Sequence, residues 1–158
     1  MSTPDTPAIR AATEVGLEHE VRVIERPTGL EDAAAKLGVT PDRLLKTLVI
    51  RRAEDDHLLV VIPGSRRLDW QKLRAHLGVS RLSLPDADEA REVTGYERGT
   101  ITPFGTQRPL PVVIDQSIVG AGTVTIGAGA HGVSLRVDAD ALIGKLREHH
   151  GAEVVAVS

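Results

Sequence analysis

The chain has 158 residues, of which 41% are hydrophobic, with one Trp, one Tyr, one Phe, no cysteine and a formal net charge of -3. The missing cysteines exclude disulfides, thiolate metal ligands and a cysteine nucleophile, and the scarcity of aromatics excludes a run of base-stacking platforms. The acidic balance argues against wrapping long nucleic acid, because that affinity rests on many Lys and Arg contacts to phosphates, but it allows a short contact with one nucleic-acid end. The length suits one domain, 1–158, with a core of Val, Leu, Ile and Ala. The start MSTPDTPAIRAA has no basic n-region and no apolar run, and no segment approaches the roughly 20 apolar residues of a membrane span, so the chain reads as cytoplasmic, with no membrane partner.

In chain order, Pro4 and Pro7 mark residues 1–7 as a mobile N-terminus. A helix is predicted over 8–16 and a strand over 19–25, where Val21 and Val23 alternate with Glu20 and Arg22. Thr28 and Glu31 match a capping box for a helix with Leu30, Ala33, Ala34 and Leu37 on one face, stopped by Gly38. Thr40-Pro41 opens a single helical turn. Apolar runs over 47–52 and 57–62, separated by Ala53, Glu54, Asp55 and Asp56, predict a hairpin, and Lys46 sits where the turn enters its first strand. Asp69 caps a helix with Trp70, Leu73 and Leu77 that ends at Gly78. A short strand over 81–84 and a short helix over 86–93 lead to a loop over 95–111, broken by Gly95, Gly99, Pro103, Gly105, Pro109 and Pro111. Strands over 112–115, 123–127 and 132–137 follow, then a helix from Asp138 to Gly151 and an edge strand over 154–157. Because strictly alternating βα units are absent, the pattern predicts an α/β domain of the α+β type, with a mixed, largely antiparallel sheet and inserted helices.

Gly127, Gly129 and Gly132 fall at dinucleotide-fingerprint spacing after a strand. The fingerprint needs a helix to begin at those glycines, yet Val133, Leu135 and Val137 alternate like a strand, so a tight turn is the better reading. The six histidines show no His-x-x-x-His spacing and read as ordinary surface residues, with no metal implied. No G-x-S-x-G elbow appears. Lys46 stands between Leu44, Leu45, Leu48 and Val49. A lysine is more often a solvated surface charge, but this one must snorkel past apolar neighbours. The run from Gly99 to Gly105 combines glycines that allow positive φ with a proline that fixes the chain, which suits presenting backbone groups to a ligand and equally suits a plain connection.

Taken together, Leu45-Lys46-Thr47-Leu48-Val49, Leu68-Asp69 with Lys72-Leu73, Thr94-Gly95-Tyr96, Gly99-x-x-x-Pro103-x-Gly105 and Ile114-Asp115 resemble the YbaK and prolyl-tRNA synthetase editing-domain family over about residues 13–155. The free-standing Cys-tRNA(Pro) deacylase branch is the most similar. The resemblance implies hydrolysis of the ester between an amino acid and the 3′-terminal ribose of a mischarged tRNA, Cys-tRNA(Pro) or Ala-tRNA(Pro), without cofactor. It implies that Lys46 anchors the acceptor end and that Gly99 to Pro103 holds the terminal adenosine or the ester. Lys46, Gly99 and Pro103 are thus the expected catalytic set, with Ile24, Thr47, Thr100, Ile101, Thr102, Gly105, Asp115, Gly127 and Gly129 around the substrate. Such an ester needs positioning and oxyanion stabilisation more than a metal or a protein nucleophile.

The sequence departs from that branch at Ile24, where it has a tyrosine, at Gly127, where it has a serine, at Ser134, where an aspartate is common, and at Gly99-Thr100, where Gly-Gly is usual. These positions bear on which amino acid is removed. They also motivate an alternative, a binding module for the acceptor end that has lost turnover. The near-neutral surface implies that a partner such as prolyl-tRNA synthetase supplies tRNA identity.

Overall fold

The structure, a computed structural model, describes residues 4–158. Its organising element is the hairpin of β2 (Leu45–Ala53) and β3 (Asp56–Pro63), paired antiparallel from Leu45↔Pro63 to Ala53↔Asp56. Leu58 to Pro63 are all buried, as in a strand covered on both faces. β4 (Val112–Asp115) pairs parallel with β3, and β7 (Glu153–Val155) pairs parallel with β4, which gives the order β2-β3-β4-β7. β1 (Glu20–Val23), β6 (Val133–Asp138) and β5 (Thr123–Ala130) form a second, antiparallel sheet in the order β1-β6-β5.

The expected mixed α/β domain is found, and its strands divide between two sheets instead of sharing one. β3 is buried on both faces, and the second sheet helps to cover one of them. Leu59 and Val61 point into a core shared with Ile126, Leu135 and Val137 of the second sheet and with Leu142 and Leu146 of the last helix. Val60 and Ile62 point the other way, into a smaller cluster closed by Leu73 and Val157. The second sheet and the last helix thus cover the first face, and Leu73 and Val157 cover the second. A lone bridge between Leu44 and Thr125 joins the two sheets beside the start of β2.

The helices are α1 (Pro7–Glu14), α2 (Leu30–Leu37), α3 (Trp70–Leu77), α4 (Ala87–Thr94) and α5 (Ala139–His150). Asp69 and Asp138 cap α3 and α5 by accepting from the Lys72 and Ala141 N–H groups, and Gly38, Gly78 and Gly151 end helices in the left-handed conformation. Among the described residues, no helix is long and apolar enough to cross a membrane.

Four local expectations change. The capping box does not form: Gly29 is the N-cap of α2, and the Thr28 N–H donates instead to Asp32 at 2.9 Å, because the helix starts one residue later than the box requires. The strand expected over 81–84 shrinks to one bridge between Arg51 and Ser83. Of the stretch expected to be mobile, residues 1–3 lie outside the described residues, whereas Thr6 is buried and donates its hydroxyl to the Ala128 carbonyl at 2.7 Å while capping α1. Finally, His57 is not a surface residue. It is 6% exposed and lies 2.8 Å from Glu89, which covers it from α4.

Candidate functional site

At the start of β2 the two sheets part around a cavity of about 640 Å³. The Lys46 ammonium donates to the Gly64 carbonyl at 3.3 Å, which leaves two of its three N–H groups for a ligand. Burial of this partly buried side chain lowers its pKa, and the nearby Arg67 charge lowers it further. Thr47 lies beside it, 9% exposed, with its hydroxyl unpaired. Ser134 on β6 also lines the cavity, and its hydroxyl is likewise buried and unpaired.

The loop between α4 and β4 forms the next wall. Its left-handed turns at Gly99 (φ 89°) and Gly105 (φ 70°) are backbone conformations that favour glycine. A Cβ on Gly105 would lie 2.5 Å from the Pro7 carbonyl, so this glycine also lets the loop pass close to α1. Thr100 is held by its N–H and hydroxyl, both donating to the Glu97 carbonyl, and its own carbonyl accepts from Gly129 at 3.1 Å. Tyr96 ties the loop from within by donating to the Phe104 carbonyl, and burial pushes its pKa up to about 12.

The expected site residues therefore separate. Ile24, Lys46, Thr47, Gly99, Ile101 and Gly127 line the cavity together. Thr100, Thr102, Pro103, Gly105 and Gly129 do not line it. Thr100 and Thr102 are buried, and Gly129, at φ 86°, lies against the Tyr96 ring. These residues shape the loop instead of facing the space. Asp115 is elsewhere: it accepts from the Val157 N–H at 2.9 Å, from the Ser158 hydroxyl at 2.8 Å and from Ser117. Burial alone would raise its pKa, but those hydrogen bonds outweigh it and hold the carboxyl below its ordinary value.

Arg26, Arg98 and His131, none of them singled out in the sequence, also line the cavity, and no aspartate or glutamate does. Arg26 directly precedes Pro27, which fixes the chain, and Arg98 precedes Gly99, which permits a left-handed turn, and that adjacency was the only signal available. Gly127 and Gly129 lie at the end of β5 and Gly132 in the turn to β6, where no helix begins, so no pyrophosphate cradle exists there. Among the described residues, no group of three or more His, Cys, Asp or Glu is placed to hold a metal ion.

Residues 27–145, which contain the β2 entrance, the glycine loop and the β5–β6 turn, match the aminoacyl-tRNA editing domain family. The chain belongs to this family. The editing domain is 26% identical over 126 residues to the Enterococcus faecalis protein named "Putative Cys-tRNA(Pro)/Cys-tRNA(Cys) deacylase EbsC", covering 80% of this chain and 77% of that protein. It is 33% identical over 127 residues to the proline–tRNA ligase of Geobacter sp. (strain M21), covering 77% of this chain but only 22% of the ligase. Among solved structures, one described as "Crystal structure of a putative trans-editing enzyme for prolyl tRNA synthetase" superposes with a TM-score of 0.82 at 26% identity, over 98% of this chain and 99% of that one.

Proposed function

We propose that this editing domain is a trans-editing deacylase that hydrolyses mischarged tRNA, with Cys-tRNA(Pro) or Ala-tRNA(Pro) as substrate. The observation that carries this reading is the charge of the cavity: Lys46, Arg26 and Arg98 line it and no carboxylate does, in a chain whose net charge is -3. Such a site attracts the phosphates of an acceptor end, and the low dielectric of a half-closed cavity strengthens that attraction. Lys46 would hold the terminal phosphate or the ester, while the Gly99 loop would hold the adenosine or the ester carbonyl. Attack on that carbonyl, by water or by the thiol of a cysteinyl substrate, breaks the bond to the ribose oxygen, which leaves with a proton. Positioning and oxyanion stabilisation supply the rate. Prolyl-tRNA synthetase is the partner that would supply tRNA identity.

The reading is tested by incubating the protein with Cys-tRNA(Pro), Ala-tRNA(Pro) and Pro-tRNA(Pro). Release of cysteine or alanine faster than buffer hydrolysis, with proline spared, is the expected result. Absence of any release would sink it. The second reading, an acceptor-end binding module without turnover, is favoured by Gly127 and Ser134, which leave the cavity without the hydroxyl and carboxylate expected there. Binding of an uncleavable aminoacyl-adenosine analogue with no hydrolysis of any charged tRNA would support that module.

A further inference from the structure

A second concave surface lies at the other end of β2. It encloses about 380 Å³ and is lined by Arg51, Arg52, Arg74 and Arg81, with Glu54 as the single carboxylate in the lining. Two of the guanidinium groups are engaged: Arg52 makes a two-pronged contact with Asp56 at 2.9 and 3.0 Å, and Arg51 lies 3.6 Å from Glu89. Arg74 and Arg81 have no acidic partner within 4.0 Å among the described residues. Free guanidinium forks match phosphate oxygens two at a time, which a lysine ammonium does not.

One segment walls both surfaces, since Leu82 and Ser83 line the groove while Leu84 and Pro85 line the cavity. That segment is fixed to β2 by reciprocal hydrogen bonds between Arg51 and Ser83 at 2.9 and 3.0 Å. Lys46 and Arg51 are five positions apart on the same strand, about 17 Å at roughly 3.4 Å per residue. β2 is an edge strand, with the cavity against its first half and the groove against its last residues.

We infer that this arginine groove is a phosphodiester-binding site, which takes the RNA backbone continuing from an acceptor end seated in the cavity. The inference rests on the deacylase reading for its direction and orientation. No aromatic residue lines the groove, so it offers no stacking platform and engages the backbone without selecting bases. The chain then contacts more phosphates than its net charge suggests, while still leaving tRNA identity to a partner.

The test compares wild type with Arg74→Gln/Arg81→Gln in two measurements. The first is the ratio of kcat/KM for full-length charged tRNA to that for a short aminoacylated acceptor-end fragment, which is expected to fall roughly a hundredfold or more if two charged contacts are lost. The second is the salt dependence of uncharged tRNA binding, whose log–log slope should become shallower by about 1.4, at about 0.7 per phosphate. Arg81→Glu alone, at an exposed position, guards against a folding defect in the double variant. Arg147→Ala on α5, which lines neither surface, is the charge-matched control.

An unchanged ratio and slope in the arginine variants would overturn the groove while leaving the cavity reading intact. Conversely, wild type that hydrolyses neither substrate yet binds uncharged tRNA with an arginine-dependent slope supports the groove and sinks the deacylase. Binding of an acidic polypeptide as tightly as tRNA would overturn the assignment to RNA.

Discussion

The Tyr96 hydroxyl donates to the Phe104 carbonyl at 2.6 Å, and the same ring lies where a side chain on Gly129 would have to go, 2.6 Å from the position of its Cβ. One tyrosine thus couples the glycine loop to the end of β5, two segments that no sequence proximity joins. Tyr96→Phe strands a buried carbonyl and should destabilise the fold by about 1–3 kcal/mol. Gly129→Ala adds a clash to a left-handed backbone and should cost at least as much. Urea unfolding measures both. Because the Tyr96 pKa is raised to about 12, the hydroxyl stays a donor at any working pH, and the Tyr96→Phe deficit should not vary between about pH 6 and about pH 9. A deficit that titrates in this range would show that the hydrogen bond is not its cause.

Asp115 gives a contrasting case, a residue expected near the substrate that the structure ties to the C-terminus. Its hydrogen bonds lower its pKa below the ordinary 3.8, so it contributes stability above that value and loses the contribution as pH falls through the lowered folded-state value. Asp115→Asn should therefore destabilise the protein by about 2 kcal/mol near neutral pH, by weakening charge-assisted hydrogen bonds. The gap from wild type should close in acid, once the pH has fallen through that lowered value. Urea midpoints at the two pH values check this. Unchanged stability with lost deacylation would return Asp115 to the substrate.

What could be read in the sequence was what depends on near neighbours. The Asp69 and Asp138 caps and the Gly78 and Gly151 stops are local signals, and they placed α3 and α5 within a residue. The division into two sheets was not legible, because the apolar run of β3 records burial on both faces and says nothing about which elements supply it. The same limit governs the site. Lys46 and Gly99 announced themselves by unusual company, whereas Arg26 and Arg98 are ordinary loop residues that only tertiary structure brings to one cavity. Asp115 misled for the matching reason: its partners Val157 and Ser158 lie far along the chain.

Gly127 sets the width of the cavity beside the loop. A Cβ there would lie 3.4 Å from the Ile101 carbonyl and 3.5 Å from that of Thr100, a tight but tolerable contact, and its φ is not positive. Gly127→Ala should fold normally, with an unfolding midpoint close to wild type. It should narrow the space for the aminoacyl group and lower activity on cysteinyl more than on alanyl substrate. One methylene in such a pocket is worth about 1–3 kcal/mol, so the ratio of the two kcat/KM values should shift roughly tenfold or more. An unshifted ratio would mean that the amino acid does not reach Gly127.

Lys46 carries the sharpest expectation, because its ammonium is held at one point by the Gly64 carbonyl in a cavity without carboxylates. Losing a charge-assisted contact costs about 1.5–3 kcal/mol, or roughly ten- to a hundred-fold in rate if the contact persists in the transition state. Lys46→Ala should fold and lose deacylation on that scale, while Arg66→Ala, which removes an exposed charge held on Ser158, should lower it mildly at most. Lys46→Arg should restore activity only in part, since a planar fork does not reproduce a compact point charge. The lysine also fixes a pH signature. Burial, then the Arg67 charge, bring its pKa below the ordinary 10.5, so the ammonium is lost at a lower pH than from a free lysine. Affinity for an uncharged acceptor-end oligonucleotide should therefore fall as pH rises through that lowered value, at a lower pH than an ordinary lysine would require, and stay level in Lys46→Arg, whose guanidinium remains charged there. Parallel curves for the two proteins, or a Lys46→Ala protein that hydrolyses its substrate at the wild-type rate, would make Lys46 an ordinary surface residue and remove it from the site.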